Sequence, residues 1–200
     1  VFLKEAKRAE ALVTMLTETV DSELFERAEK LKVVANVAVG YDNVEVGAAR
    51  ERGIVVTNTP DVLTDTTADL AFALLMAAAR RLVEASEYVK GGKWTVWSPM
   101  QMAGLDIHHR TIGIVGMGRI GQAVAKRAKG FDMDILYHNR SPRPEAEREL
   151  GAEYVGFDEL LERADFVVCM APLTEETKDL FNAEAFRKMK TSAVFVNAAR

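Results

Sequence analysis

An α/β fold with parallel sheets is what this sequence predicts, and three observations predict it. Apolar runs rich in β-branched residues alternate with helix-periodic stretches, the runs are apolar on both strand faces, and a glycine-spaced turn follows one of them directly. The 200 residues carry 26 Lys+Arg against 30 Asp+Glu, a formal net charge of −4, with 48% apolar residues, 13 Gly and 5 Pro. Such a composition belongs to a folded chain of one or two domains and argues against disorder. The acidic balance gives no electrostatic reason to expect nucleic acid. The longest unbroken apolar run, residues 70–79, is too short to span a bilayer. A single cysteine, Cys169, excludes an intrachain disulfide, and no signal-peptide pattern opens the chain, so the expected compartment is the cytoplasm.

Taken in order, residues 3–8 read as a helix and residues 11–16 as a buried strand. Residues 21–30 form an amphipathic helix with Leu24, Phe25 and Ala28 on one face. A strand over 32–39 closes at Gly40, a short helix over 46–52 ends at Gly53 in the C-cap position, and a strand over 54–58 stops before Pro60. Strands of this kind predict a parallel sheet covered on both faces. A long helix follows over 65–90, capped by Thr64 or Asp65, with Asp69 near the positive end of its dipole. Its centre, 68–79, is apolar almost all round, which predicts burial on every side. Gly91-Gly92-Lys93-Trp94 end it. The irregular stretch through Trp97, Pro99 and Gly104 sets the expected boundary between residues 1–97 and 98–200, with Trp94 and Trp97 packed at the crossing. The chain begins at Val1 inside a helical pattern and stops at Arg200 just past a strand-like run, so it is expected to be part of a longer protein.

The second half alternates more regularly. Strands are expected over 111–116, 133–138, 153–155, 166–171 and 193–198, with helices over 120–129, 145–150, 158–163 and 184–189 between them. Five strands with crossovers are the pattern of a doubly wound nucleotide-binding sheet.

The motif that carries chemistry is Gly116-Met117-Gly118-Arg119-Ile120-Gly121. Alone such a spacing is weak evidence; directly after a strand and opening a helix, it is the context a dinucleotide site requires. Gly116 permits the tight turn, Gly118 lets the backbone approach a pyrophosphate, and Gly121 lets helix and strand pack closely. The amides and dipole of the helix beginning near Ile120 then face the phosphate charge. In an NAD-binding unit a carboxylate about 20 positions further on accepts bonds from the ribose 2′-OH. Here the second strand runs into Asn139-Arg140-Ser141-Pro142-Arg143, with no carboxylate to repel a 2′-phosphate. Arg140 and Arg143 offer charge-assisted bonds to one, so NADP(H) is the expected preference and NAD(H) the alternative; a solvated basic loop is the other reading of the same residues.

Several ordered motifs give the chain a family resemblance. Val39-Gly40-Tyr41-Asp42-Asn43-Val44, Thr67-Ala68-Asp69-Leu70-Ala71, Gly91-Gly92-Lys93-Trp94, the glycine motif, Ala171-Pro172-Leu173-Thr174-Glu175-Glu176-Thr177 and Val196-Asn197-Ala198-Ala199-Arg200 together resemble the D-isomer-specific 2-hydroxyacid dehydrogenases, and within them the glyoxylate/hydroxypyruvate reductases. The resemblance covers essentially the whole chain. It implies a Rossmann-type doubly wound sheet and a flavodoxin-like α/β substrate domain, both incomplete here, with the active site between the two. It further implies that the Val39-Gly40 loop presents amides to the carboxylate of a 2-oxo acid, with Leu16 and Thr17 nearby. Gly118, Arg119, Ile120 and Gly121 would hold the pyrophosphate, and Asn139, Arg140 and Ser141 the adenosine ribose. Pro172 and Thr177 would line the cofactor, and Ala198, Ala199 and Arg200 would approach the nicotinamide. Arg200 would also be catalytic, a guanidinium fork holding the substrate's carboxylate and carbonyl oxygens. A homodimer in the full-length protein is implied as well.

The reaction also needs a proton donor. The resemblance places the family's Glu and His beyond Arg200, so the 200 residues alone are expected to turn over little. His108, His109 and His138 read as structural or solvated, and His109 stands where the family usually has a small residue. Cys169 reads as a core thiol, and no Cys/His cluster has metal-ligand spacing. Two functional readings follow. One is an NADP(H)-preferring reductase of glyoxylate, hydroxypyruvate or a related small 2-oxo acid. The other is a dinucleotide-binding interaction module of the corepressor kind on the same fold.

Overall fold

The structure is a computed structural model and describes residues 2–199. The chain divides into two compact units, Val1–Leu63 and Thr64–Arg200. The division falls ahead of the expected 97/98 boundary because the long helix that follows Leu63 packs within the second unit.

The first unit holds helices α1 (Phe2–Ala6), α2 (Ser22–Arg27) and α3 (Val46–Glu51) with strands β1 (Ala11–Thr14), β2 (Val33–Asn36) and β3 (Val55–Thr57). The strands are parallel in the order β1-β2-β3, with Ala11 opposite Val33 and Val33 opposite Val55. A sequential run of this kind is the one found along one side of a flavodoxin-like sheet. Asp21 caps α2 by accepting from the Leu24 amide at 3.0 Å. Leu24, Phe25, Ala28, Val34, Ala49 and Ile54 form the core under one face of the sheet. The other face departs from expectation: Val13 is 74% and Val55 56% exposed. All three helices pack on the Leu12, Val34 and Val56 side, so among the described residues the sheet is covered on one face only.

The second unit begins with α4 (Thr64–Ala79) and α5 (Leu82–Lys90). The sequence predicts one helix here; the structure breaks it at Arg81, which adopts a left-handed conformation with φ of 52°. The Arg81 guanidinium binds Glu84 and donates to the Ala103 carbonyl at 3.3 Å, while the Leu105 amide takes the Ala79 carbonyl at 2.8 Å. The returning chain thus satisfies the end of α4 that an unbroken helix would have satisfied itself. Nor is α4 buried all round. Ala68, Ala71, Phe72, Leu75 and Ala79 are in the core, but Leu70 is 58% exposed. Trp94 and Trp97 are likewise exposed rather than packed, since 91–101 runs over the surface.

Five parallel strands follow: β4 (Thr111–Val115), β5 (Asp134–His138), β6 (Glu153–Tyr154), β7 (Phe166–Cys169) and β8 (Val194–Asn197). Helices α6 (Arg119–Lys129), α7 (Pro144–Leu150), α8 (Phe157–Arg163) and α9 (Ala183–Lys188) cross between them. The order β6-β5-β4-β7-β8 is the doubly wound one, and the chain reverses direction across the sheet between β4 and β7. Ile112, Ile114, Phe72, Leu75, Val124 and Phe166 fill one face of this sheet, while Val115, Leu136, Leu160, Leu161 and Val167 fill the other. Full burial of each such side chain contributes about 1.5–3 kcal/mol. Arg127 ties α6 to α4, donating to Asp69 at 2.7 Å and to the Asp65 carbonyl at 3.2 Å.

Candidate active site

The strand reversal between β4 and β7 places a crevice beyond the carboxyl ends of β4, β5 and β7, and the candidate cofactor site lies there. It is a cavity of about 470 Å³ lined by Gly116 and Gly118 on one side, Asn139, Arg140, Ser141 and Arg143 on the second, and Pro172 and Thr177 on the third. Eight of the expected cofactor residues therefore share one cavity. Ile120 and Gly121 stand behind the loop in α6. Arg119 is exposed in the first turn of that helix. Ala198 and Ala199 are half-buried past β8 and are not among the residues lining this cavity, the Ala198 amide bonded to the Cys169 carbonyl at 3.3 Å. The catalytic role expected for Arg200 falls outside the described residues.

Each glycine does what its place requires. Gly116 has φ of 103°, and a Cβ there would lie 2.6 Å from the Ala171 amide nitrogen. A Cβ on Gly121 would fall on the Gly116 carbonyl oxygen, far inside the 3.0 Å that real contacts respect, so α6 starts hard against the turn. A Cβ on Gly118 would meet nothing within 4 Å. That open space lies at the N-terminus of an eleven-residue helix with no side-chain cap and no acidic residue in its first turn. Such a cradle fits a pyrophosphate, whose charge the uncapped amides and the dipole would meet.

The turn is braced from β5. The Gly116 amide donates to the His138 carbonyl at 3.0 Å, and the Met117 amide to Asn139 Oδ1 at 2.8 Å. Asn139 thus locks the glycine turn as well as lining the cavity. The Arg143 amide donates to the buried Tyr137 hydroxyl at 2.6 Å, and that hydroxyl donates to Glu147 at 2.7 Å. Burial pushes the Tyr137 phenol above its ordinary range, so it stays a donor. On the third wall, Thr177 Oγ1 donates to the Pro172 carbonyl at 2.5 Å and accepts from the Thr174 amide at 2.8 Å, closing a tight turn. That turn presents Glu176 into the cavity. A hydrogen bond from Thr174, then its own amide, then the Arg140 guanidinium hold the Glu176 carboxyl below its usual value.

The three histidines differ in setting: His138 also lines the cavity, while His108 and His109 are exposed. His138 Nδ1 meets the Val155 carbonyl at 3.0 Å and the ring stacks on Tyr154, while His108 and His109 pack edge to face. His109 has φ of 56°, in the left-handed region where histidine is one of the few enriched non-glycine residues. Cys169 is buried in β7, and burial pushes its thiol up.

In the first unit, Leu16 and the half-buried Val39 and Gly40 occupy loops leaving β1 and β2. Asn43 joins the loops: its Nδ2 donates to the Met15 and Glu18 carbonyls at 2.9 Å each and faces the Asn36 carboxamide. Sequence reading misses Asn36, Asn43, Asn58, Tyr137 and Glu176. For Asn36 a signal was available, an asparagine at the buried end of an apolar strand, where a polar group needs partners.

The family model described as the D-isomer specific 2-hydroxyacid dehydrogenase, NAD binding domain, matches residues 72–200. The chain belongs to this family. It is similar to a glyoxylate reductase of Korarchaeum cryptofilum (strain OPF8), 58% identical over 201 residues, all of this chain and 60% of that protein. A protein from Thermus thermophilus of known crystal structure superposes with a TM-score of 0.94 at 48% identity, over 99% of this chain and 62% of that one. The D-lactate dehydrogenase of Aquifex aeolicus, crystallised with NAD and lactic acid, gives 0.90 at 28% identity, over 100% of this chain and 59% of that one. The chain thus spans about 60% of the length of the curated relatives it matches. No helix among the described residues is long and apolar enough to cross a membrane.

Proposed function

We propose that this chain belongs to a cytoplasmic reductase of small 2-oxo acids, glyoxylate or hydroxypyruvate, that yields the D-2-hydroxy acid and uses NADP(H) in preference to NAD(H). The observation that carries the reading is the shared cavity, with the glycine turn facing Arg140, Ser141 and Arg143. When bound, the nicotinamide supplies the hydride, and the protein supplies alignment and charge. Gly116 and Gly118 would hold the pyrophosphate at α6. Arg140, with Ser141 and Arg143, would take a 2′-phosphate by charge-assisted bonds, and residues 139–143 contain no carboxylate to oppose it. The Val39-Gly40 loop would present amides to the substrate carboxylate, with Leu16 beside it. Ala198 and Ala199 would border the nicotinamide, and Arg200 would bind the substrate's oxygens.

The 200 residues alone are expected to bind the dinucleotide without appreciable turnover: His138 is held at the Val155 carbonyl, and the exposed His108 and His109 pack on each other ahead of β4. A homodimer of the full protein is supported by the exposed apolar side chains of Leu82, Val83, Val89, Trp94 and Trp97.

The test is to follow nicotinamide absorbance in the full-length protein with NADPH or NADH against glyoxylate and hydroxypyruvate. Arg140→Asp should cut the NADPH-to-NADH efficiency ratio by about 10–100-fold, the worth of one hydrogen-bonded charge contact. No consumption with any small 2-oxo acid would overturn the reductase reading. An unmoved ratio would overturn the NADP(H) preference.

A further inference from the structure

Three consecutive carbonyls of the loop after β2 are held by the body of the first unit. The Ala38 carbonyl accepts from the Thr59 amide at 2.9 Å, the Val39 carbonyl from Asn58 Nδ2 at 2.8 Å, and the Gly40 carbonyl from Asn36 Nδ2 at 2.9 Å. In a trans peptide the following N–H points opposite to its carbonyl, and the described residues contain no cis bond. The N–H groups of Val39, Gly40 and Tyr41 are therefore turned away from those anchors, and none has an acceptor among the described residues.

The anchors are themselves fixed. Asn36 is 1% exposed, and its Oδ1 accepts from Thr14 Oγ1 at 3.0 Å. Its carboxamide faces that of Asn43, with contacts of 3.2 and 3.4 Å, so its orientation is set from two sides. Asn58 is half-buried just after β3. A buried amide with all its valences used costs little to maintain and holds its partner in one orientation.

We propose that Asn58 and Asn36 are positioning residues, which by seizing the Val39 and Gly40 carbonyls aim the Gly40 and Tyr41 amides, together with that of Val39, at a carboxylate. Asn43 keeps Asn36 in register. The assignment rests on the reading of this loop as the substrate-carboxylate site and adds what orients it. Oriented backbone amides bind an anion well because their reorganisation has been completed in folding. Asn58 acts on ligand binding without touching the ligand.

The test uses Asn58→Asp and Asn58→Leu, both close in shape to asparagine and both without the donor. In the ¹⁵N-labelled protein, titration with sodium glyoxylate should shift the Val39, Gly40 and Tyr41 amides, and each variant should weaken that response. In the full-length enzyme the KM for glyoxylate should rise about tenfold, matching the loss of one hydrogen bond of about 1.4 kcal/mol, while the KM for NADPH stays within about twofold. A merely structural asparagine would lower the melting temperature and leave the glyoxylate response of the folded protein alone. Equal shifts and equal affinity in parent and variants would overturn the positioning role while leaving the site reading in place. If glyoxylate moves none of the three amides in the parent, the site reading falls and the positioning role with it.

Discussion

Substituting Gly118 and Gly121 separately by alanine should divide the glycine motif into a binding half and a folding half. At Gly121 the new methyl would land on the Gly116 carbonyl oxygen, with Ile114 Cγ2 another 3.3 Å away and no room to slide. Restoring contact distance requires α6 to retreat by about 1 Å, and an overpacked core position of this kind costs about 1–3 kcal/mol. Because α6 buries Val124, Ala125 and Ala128 behind Gly121, the whole helix shares the strain. A cost of about 3 kcal/mol should lower the melting temperature by about 6–12 °C. At Gly118 the methyl meets open space, so folding should suffer only the exchange of glycine for alanine at an N-cap, about 1 kcal/mol at most. Dinucleotide affinity should nonetheless fall about 10–100-fold, because the methyl takes the place of a phosphate bonded to backbone amides. Thermal unfolding by circular dichroism and NADPH fluorescence titration read the two effects independently. Parent-like melting of Gly121→Ala would refute the close approach of α6, and parent-like NADPH affinity of Gly118→Ala would refute the phosphate cradle.

Glu176→Gln should raise NADPH affinity about two- to fivefold and leave NADH affinity unchanged, since it removes an exposed carboxylate beside Arg140 that opposes a phosphate bound there. The carboxyl is held below its usual value, so the effect should be constant between about pH 6 and 8. Asp165 accepts from the Thr111 amide at 3.0 Å and from Lys190 at 2.8 Å. Burial alone would raise its pKa, but Lys190 and the Thr111 amide together hold it below the usual value. A depressed carboxylate pKa stabilises the fold above the unfolded-state value and loses that contribution as pH falls through the folded one. Asp165→Asn should therefore cost about 1–2 kcal/mol at pH 7 in urea unfolding, with the gap to the parent closing below pH 3.8. Tyr137→Phe should cost about 1–3 kcal/mol by stranding the Arg143 amide, and should speed hydrogen exchange across residues 139–143.

The second sheet is legible because its central strands, β4 and β7, are buried on both faces, so pattern and environment agree. The Phe166–Cys169 strand is apolar in sequence and buried at all four positions. The glycine turn is legible because backbone conformation at Gly116 and close approach at Gly121 leave no other residue type. What escapes is tertiary. Nothing local in 65–90 announces that Ala103 and Leu105 will return to finish α4, so the left-handed Arg81 could not be foreseen. The apolar faces of β1 and β3 predict a cover that the described residues do not provide, because pattern records which surface prefers burial and not what buries it. The asparagine braces escape for a related reason: Asn36, Asn43 and Asn58 acquire meaning only when the chain brings distant carbonyls to them.

The bare side of the β1–β3 sheet has a practical corollary at the bench. Wetted valines at positions 13 and 55 make the 200-residue chain sensitive to excluded cosolvents, because sulfate strengthens association between hydrocarbon surfaces. Ammonium sulfate should precipitate it early, and exchanging those two valines for threonine should move the salting-out point upward without disturbing the strand, whose backbone threonine suits equally well.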